Sequence, residues 1–215
     1  MPQFIITILE IIGTVSFAVS GAFVAIKARL DLFGIIFVGA ITAMGGGIVR
    51  DLLIGHIPPT AFLNFPIFII AVITAVVVFM LSRRKPGNFD EFREKTETVN
   101  NFFDAIGLAA FSVMGTEVAF IEGFSENMFL SVVLGMLTGV GGGIFRDILT
   151  DTTPYVFKKH IYAIASIGGS ILYYLLRRFT AGIILPSVSA MALIIAVRLL
   201  ATRYRWSLPK IKFDE

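Results

Sequence analysis

The sequence contains no cysteine, one tryptophan and two histidines. Without cysteine there is no disulfide framework and no thiolate metal site. His56 and His160 fall in separate loops, which suits ordinary side chains better than a metal pair. Charge is scarce too: 15% of residues are Asp, Glu, Lys or Arg, against ~25% in an average globular domain. Hydrophobic residues make up 56% and the mean hydropathy is +0.87, an apolar surplus too large for a soluble core of this length. The net charge is only +3, and the basic residues lie between apolar stretches. That arrangement argues for membrane topology and against a nucleic-acid surface. The first apolar stretch has no positive n-region and no small-residue cleavage site, so it reads as a retained helix.

About 20 helical residues cross ~30 Å of hydrocarbon. Seven stretches meet this requirement, near 4–26, 31–54, 59–82, 101–121, 127–149, 156–176 and 179–200. In lipid every backbone polar group needs an internal partner, so these stretches should be helices. The expected fold class is an all-α polytopic membrane protein with seven transmembrane helices. Pro58 and Pro59 open the third stretch and Pro154 the sixth, as proline suits a first helical turn. Ser82 to Thr98 forms one polar linker, and the tail from Thr202 is short and basic.

Basic residues follow the first, third, fifth and seventh stretches: Lys27 and Arg29; Arg83, Arg84 and Lys85; Lys158 and Lys159; Arg203, Arg205, Lys210 and Lys212. The opposite loops are acidic at Glu122 and Glu126, and only Arg177 and Arg178 dissent. The positive-inside rule then predicts a cell-membrane protein with its N-terminus outside and its C-terminus in the cytoplasm. Glu117, Glu122 and Glu126 read as a solvated acidic rim.

The chain repeats itself. TAMGGGIVRDLL at 42–53 matches TGVGGGIFRDIL at 138–149, and the same 96-residue shift carries Pro58 onto Pro154. A 94-residue shift aligns Glu10 with Asp104, Gly13 with Gly107, Phe17 with Phe111 and Gly21 with Gly115. The unit is three helices. Two copies of an odd-numbered unit must face opposite ways across the membrane, with a working site near the midplane between them. The predicted organisation is 1–82 for the first repeat, 83–98 for a cytoplasmic linker, 99–177 for the inverted second repeat, and 178–215 for a seventh helix with its basic tail.

Gly45, Gly46 and Gly47 fall mid-helix in the second stretch, and Gly141, Gly142 and Gly143 in the fifth. Each glycine costs about 1 kcal/mol against alanine in a helix interior, so three together invite a break. A break would free the carbonyls of Ala43, Met44 and Gly45, and of Gly139, Val140 and Gly141, to coordinate a monovalent cation beside Thr42 and Thr138. The other reading is close packing of backbones; the doubled motif favours the break.

At ~1.5 Å rise per residue, Arg50 lies about 12 Å to one side of the midplane and Arg146 as far to the other. Each Arg-Asp pair, Arg50-Asp51 and Arg146-Asp147, is therefore expected to line its own vestibule. Sequence neighbours do not face each other on a helix, so each of these charges should find a partner on another helix. Glu10 and Asp104 can serve as those partners, or attract cations.

The doubled GGGxxRD pattern, with an acidic residue and spaced glycines in each first helix, resembles the trimeric intracellular cation (TRIC) channel family, prokaryotic branch, also catalogued as a putative glycine-transporter domain family. The likeness runs from about Glu10 into the seventh helix, and departs at Glu10, where the family pattern leads one to expect Asp. The resemblance implies a homotrimer with one cation pathway in each protomer, potassium-preferring, with K+ or Na+ as the permeant ion and no cofactor. Its partners would be further copies of itself and membrane lipid, with no nucleic acid. The alternative is a secondary transporter of a small amino acid such as glycine, using helix N–H groups and Arg50 to hold a carboxylate. An enzyme is not expected: no cysteine is present, the histidines fall on opposite sides, and Asp51 and Asp147 differ in depth.

Overall fold

The computed structural model describes residues 2–83, 89–158 and 161–206. Within these every regular element is an α-helix: α1 (Pro2–Lys27), α2 (Leu32–Leu53), α3 (Thr60–Leu63), α4 (Phe65–Arg83), α5 (Phe89–Ile121), α6 (Met128–Leu149), α7 (Tyr155–Lys158), α8 (Ile161–Phe179) and α9 (Ile184–Arg203). Among the described residues six helices are long and apolar enough to cross a membrane: α1, α2, α4, α5, α6 and α9. The seventh long helix, α8, is less apolar because it carries Gly168, Gly169, Tyr173, Tyr174, Arg177 and Arg178. Arg84, Lys85, Lys159, His160, Lys210 and Lys212 lie outside the described residues.

Three boundaries differ from expectation. The third stretch divides into α3 and α4 at Asn64, which leaves the helical region at φ −96°, ψ 70°. Pro66 explains the division, because it has no N–H for the preceding turn and its ring collides with that turn's carbonyl. The sixth stretch likewise begins with a separate turn, α7. The polar linker contributes to α5, which already starts at Phe89; its Glu, Lys and Arg content favours helix.

The ends of α2 and α6 match residue for residue. Asp31 caps α2 by accepting from the Gly34 N–H at 2.8 Å, and Asn127 caps α6 by accepting from Leu130 N–H at 3.0 Å. At the other end, His56 N–H donates to the Asp51 carbonyl while Gly55 N–H donates to Leu52. Thr152 and Asp151 repeat those two bonds to Asp147 and Ile148. This double bond pattern needs a left-handed residue just past the helix, supplied by Gly55 at φ 80° and Asp151 at φ 53°.

α1 packs on α5, α2 on α6, and α8 and α9 close around α5. The central contact is again reciprocal. The Phe17 ring covers Gly107 and the Phe111 ring covers Gly13, with the two rings 5.2 Å apart. A Cβ on Gly107 would stand 2.1 Å from Phe17, so only glycine lets these helices meet.

Candidate functional site

The glycine triplets do not break their helices: α2 is continuous from Leu32 to Leu53 and α6 from Met128 to Leu149. The expected break is corrected, and with it the cation site at carbonyls of Ala43, Met44, Gly45, Gly139, Val140 and Gly141, which stay within helical turns. What the glycines do instead is admit a neighbouring backbone. A Cβ on Gly46 would lie 2.0 Å from the Thr138 carbonyl oxygen, and one on Gly142 would lie 2.0 Å from that of Thr42. A Cβ on Gly141 would lie 3.0 Å from the Gly46 Cα, while Gly45 faces the Phe145 ring and Gly143 the Tyr162 hydroxyl. Thr42 and Thr138 donate their hydroxyls to Val38 and Leu134 of their own helices, both at 2.6 Å. Helix propensity was the wrong guide here, because in lipid a helix keeps its hydrogen bonds and small residues favour close crossing.

The Arg-Asp neighbours also pair with each other, contrary to expectation. Arg50 Nε donates to Asp51 Oδ1 at 2.8 Å, and Arg146 Nε donates to Asp147 Oδ1 at the same distance. The long arginine stem wraps far enough around the helix to offset the angle between neighbouring positions. The second carboxylate oxygen caps the next short helix: Asp51 Oδ2 accepts from Thr60 N–H at 2.8 Å, and Asp147 Oδ2 from Tyr155 N–H at 2.8 Å.

Beyond this shared core the two halves diverge. Arg146, fully buried, donates to Asp104 Oδ1 at 2.7 Å and to Ser20 Oγ at 2.6 Å. Tyr162 OH donates to the same Asp104 oxygen at 3.3 Å, and Arg198 from α9 reaches Asp104 Oδ2 at 3.5 Å while lying 4.5 Å over the Tyr162 ring. Asp104 is thus a structural anchor for two arginines. Arg198 was missed in the sequence; its signal was a lone cation deep in the apolar run ALIIAVRLL, where unpaired charge is costly. In the first half, Arg50 has Asp51 and Thr60 as its hydrogen-bonding partners among the described residues. Glu10 makes two 3.5 Å contacts with the Asn64 amide and no hydrogen bond to Arg50.

Each Arg-Asp pair borders a cavity. One, of about 350 Å³, is lined by Lys27, Glu97, Asn100, Asp147, Thr150 and Thr152 among others. The other, of about 40 Å³, is lined by Glu10, Thr14, Arg50, Asn64, Gly47 and Thr138 among others. The small cavity reaches the α2–α6 crossing, where Gly47 and Thr138 form part of its wall.

Polar links tie the loops at the small-cavity end. His56 Nε2 and Glu122 Oε2 are 3.1 Å apart. Glu117 is buried, not part of a solvated rim: it accepts from Tyr173 OH at 2.8 Å and Arg177 Nε at 3.1 Å. Arg178 bonds Glu126, and that hydrogen bond holds the Glu126 carboxyl below the usual carboxylate range. Arg177 and Arg178, the exceptions in the charge pattern, are both neutralised by carboxylates on their own side.

This architecture, apolar helices around buried ion pairs with a cavity toward each end, is that of a polytopic membrane protein. A family model described as glycine transporter matches twice, at residues 7–83 and 101–178. Relatives include the UPF0126 inner membrane protein YadS of Escherichia coli K12, 34% identical over 96% of both chains, and the UPF0126 membrane protein YvgT of Bacillus subtilis, 37% identical over 77% of this chain and 78% of that one. Among solved structures, one from work on conductance through TRIC cation channels is 33% identical, covers 97% of this chain and 98% of the other, and superposes with a TM-score of 0.82. A prokaryotic TRIC channel crystallised in 0.5 M KCl is 27% identical over 96% of this chain and all of that one, TM-score 0.85. The TRIC orthologue from Rhodobacter sphaeroides is 27% identical over 94% of this chain and 99% of that one, TM-score 0.83. The chain belongs to this family, in its prokaryotic TRIC branch.

Proposed function

We propose that this protein is a monovalent-cation channel, potassium-preferring, working as a homotrimer with one pathway inside each protomer. The observation that carries the reading is the full-length likeness to TRIC channel structures at TM-scores of 0.82 to 0.85. The inverted three-helix repeat supports it, and the reciprocal Gly46–Thr138 and Gly142–Thr42 contacts are what an inverted pair would produce. The pathway runs from the Glu10 and Arg50 cavity, past the α2–α6 crossing, to the Asp147 cavity. Gly45–Gly47, Gly141–Gly143, Thr42 and Thr138 form its constriction, and parting of the two helices opens it. Lys27, Arg29, Arg83, Arg203 and Arg205 at the Asp147 end favour a cytoplasmic C-terminus in the cell membrane.

Purified trimers in planar bilayers should give discrete potassium currents. Absence of current across a range of voltages would sink the proposal. A second reading, transport of a small amino acid, draws support from the family model's description and from the large cavity, whose wall holds both Lys27 and the carboxylates Glu97 and Asp147. It requires saturable uptake of labelled glycine into proteoliposomes in place of current.

A further inference from the structure

The two halves hold different formal charge. The second gathers two arginines, Arg146 and Arg198, against two carboxylates, Asp104 and Asp147, and balances. The second of those arginines comes from α9, which follows both repeats and has no counterpart beside the first. There Arg50 stands against Asp51 and Glu10, one cation against two anions, and Arg50 is already engaged by Asp51 at 2.7 Å and Thr60 at 3.4 Å. With Glu10 ionised the group carries one unbalanced negative charge at an apolar depth, which either a proton or a bound cation must compensate.

Oxygen donors converge around Glu10 in a cavity that Arg50, held by Asp51, also lines. The cavity is about 40 Å³, room for a small ion with a water, since one water takes about 10–15 Å³ on this measure. Thr14, one turn along α1, is 1% exposed, lines the same cavity and has a buried hydroxyl oxygen without a hydrogen-bond partner. Asn64 presents a side-chain amide, whose oxygen can turn inward. Carboxylate, hydroxyl and amide oxygens are the donors hard cations take. The corresponding place in the second half is closed: Asp104 is fully buried between its arginines, and Leu108 stands where Thr14 does.

We infer that Glu10, Thr14 and Asn64 form a binding site for one partly dehydrated monovalent cation, which performs in the first repeat the charge compensation that Arg198 performs in the second. One positive charge balances the group, whereas a divalent ion would leave it cationic. The inference rests on the channel reading for its role as a station on the pathway, but not for the binding itself.

The test is thermal unfolding of the full chain in detergent, with potassium, sodium or N-methylglucamine chloride at constant ionic strength. Potassium or sodium should raise the midpoint saturably, by about 3–6 °C at ten times the dissociation constant. Glu10→Gln should abolish the rise and Thr14→Val should weaken it about tenfold in midpoint concentration. If Glu10→Gln does not fold, Thr14→Val and anomalous scattering from thallium(I) in crystals of the parent decide the matter. A rise equal in both variants, no saturable rise in the parent, or thallium peaks only outside this cavity would overturn the site. Potassium flux in liposomes, run in parallel, separates the two claims: flux without Glu10-dependent stabilisation removes the site and leaves the channel, while the reverse removes the channel and leaves the site.

Discussion

Gly46 of α2 lies so close to Thr138 of α6 that a methyl group on the glycine would stand 2.0 Å from the threonine carbonyl oxygen, and Gly142 stands in the same relation to Thr42. An alanine at either position gains about 1 kcal/mol of helix propensity. Against that, the backbones must part to admit the methyl, and overpacking costs typically 1–3 kcal/mol or more. The clash wins, since its partner is backbone and cannot rotate away. Gly46→Ala and Gly142→Ala should each lower the unfolding free energy by roughly 1–2 kcal/mol or more. Gly47→Ala meets only Arg50 Nη2 at 3.8 Å, so it should be neutral or stabilising by up to about 1 kcal/mol. Thermal unfolding in detergent checks all three; equal losses at Gly46 and Gly47 would contradict the packing role.

How far the sequence reached is best judged at these same residues. The 96-residue shift and the apolar run lengths were enough to set out most of the long helices and to match α2 with α6 as equivalent elements, because both follow from composition and spacing. The function of the glycines was not legible. Propensity describes an isolated helix, whereas here a second helix supplies the reason for having no side chain. The Arg50–Asp51 and Arg146–Asp147 pairs were likewise misjudged, because a rule about helix faces takes no account of how far an arginine reaches. The difference between the halves was beyond any repeat argument, since it depends on where α9 docks.

That difference predicts unequal costs for the matched acids. Asp104 anchors Arg146 at 2.7 Å and Arg198 at 3.5 Å with no exposure. Removing one partner from such a buried group leaves the others uncompensated and costs about 3–5 kcal/mol. Asp104→Asn should lose stability on that scale, whereas Glu10→Gln, measured in N-methylglucamine chloride, should be neutral or stabilising, because it removes an uncompensated charge and only two 3.5 Å contacts are affected. Denaturation of the two variants side by side is the check, and similar losses would mean that Glu10 carries a structural load not visible in its contacts.

The two arginines at the end of α8 should separate in the same way. Arg178 and Glu126 form an exposed pair, of a kind that contributes little because water and salt screen it. Arg177 faces Glu117, whose side chain is 5% exposed, so its loss strands a nearly buried carboxylate with Tyr173 as its remaining partner. Arg177→Ala should cost about 1–3 kcal/mol, and Arg178→Ala should cost much less, because its pair is solvent-exposed and screened. The exposed pair also has a pH sign. Glu126 is held below its ordinary range, so its small contribution is complete above the unfolded carboxylate pKa and fades as pH falls through the lower folded value. Comparing Arg178→Ala with the parent at pH 7 and near pH 3 should show the difference shrinking on acidification.

Lys27 gives a prediction that depends on the channel reading and tests which charges matter at the mouth. It lines the 350 Å³ cavity together with Glu97 and Asp147. Asp147 is occupied by Arg146 at 2.8 Å and by the Tyr155 N–H, so the field felt by an approaching ion is decided largely between exposed Glu97 and exposed Lys27. Replacing the cation by an anion turns that local balance from neutral to doubly negative. A negative mouth raises the local concentration of cations and their entry rate, and the effect is screened over ~8 Å at physiological ionic strength. Lys27→Glu should therefore raise potassium current entering from this end severalfold at ~10 mM salt, with the gain shrinking toward unity near 1 M, where the screening length is about 3 Å. Current entering from the Glu10 end should change much less. An increase that persists undiminished at high salt would point to altered packing of α1 and not to electrostatic attraction at the entrance.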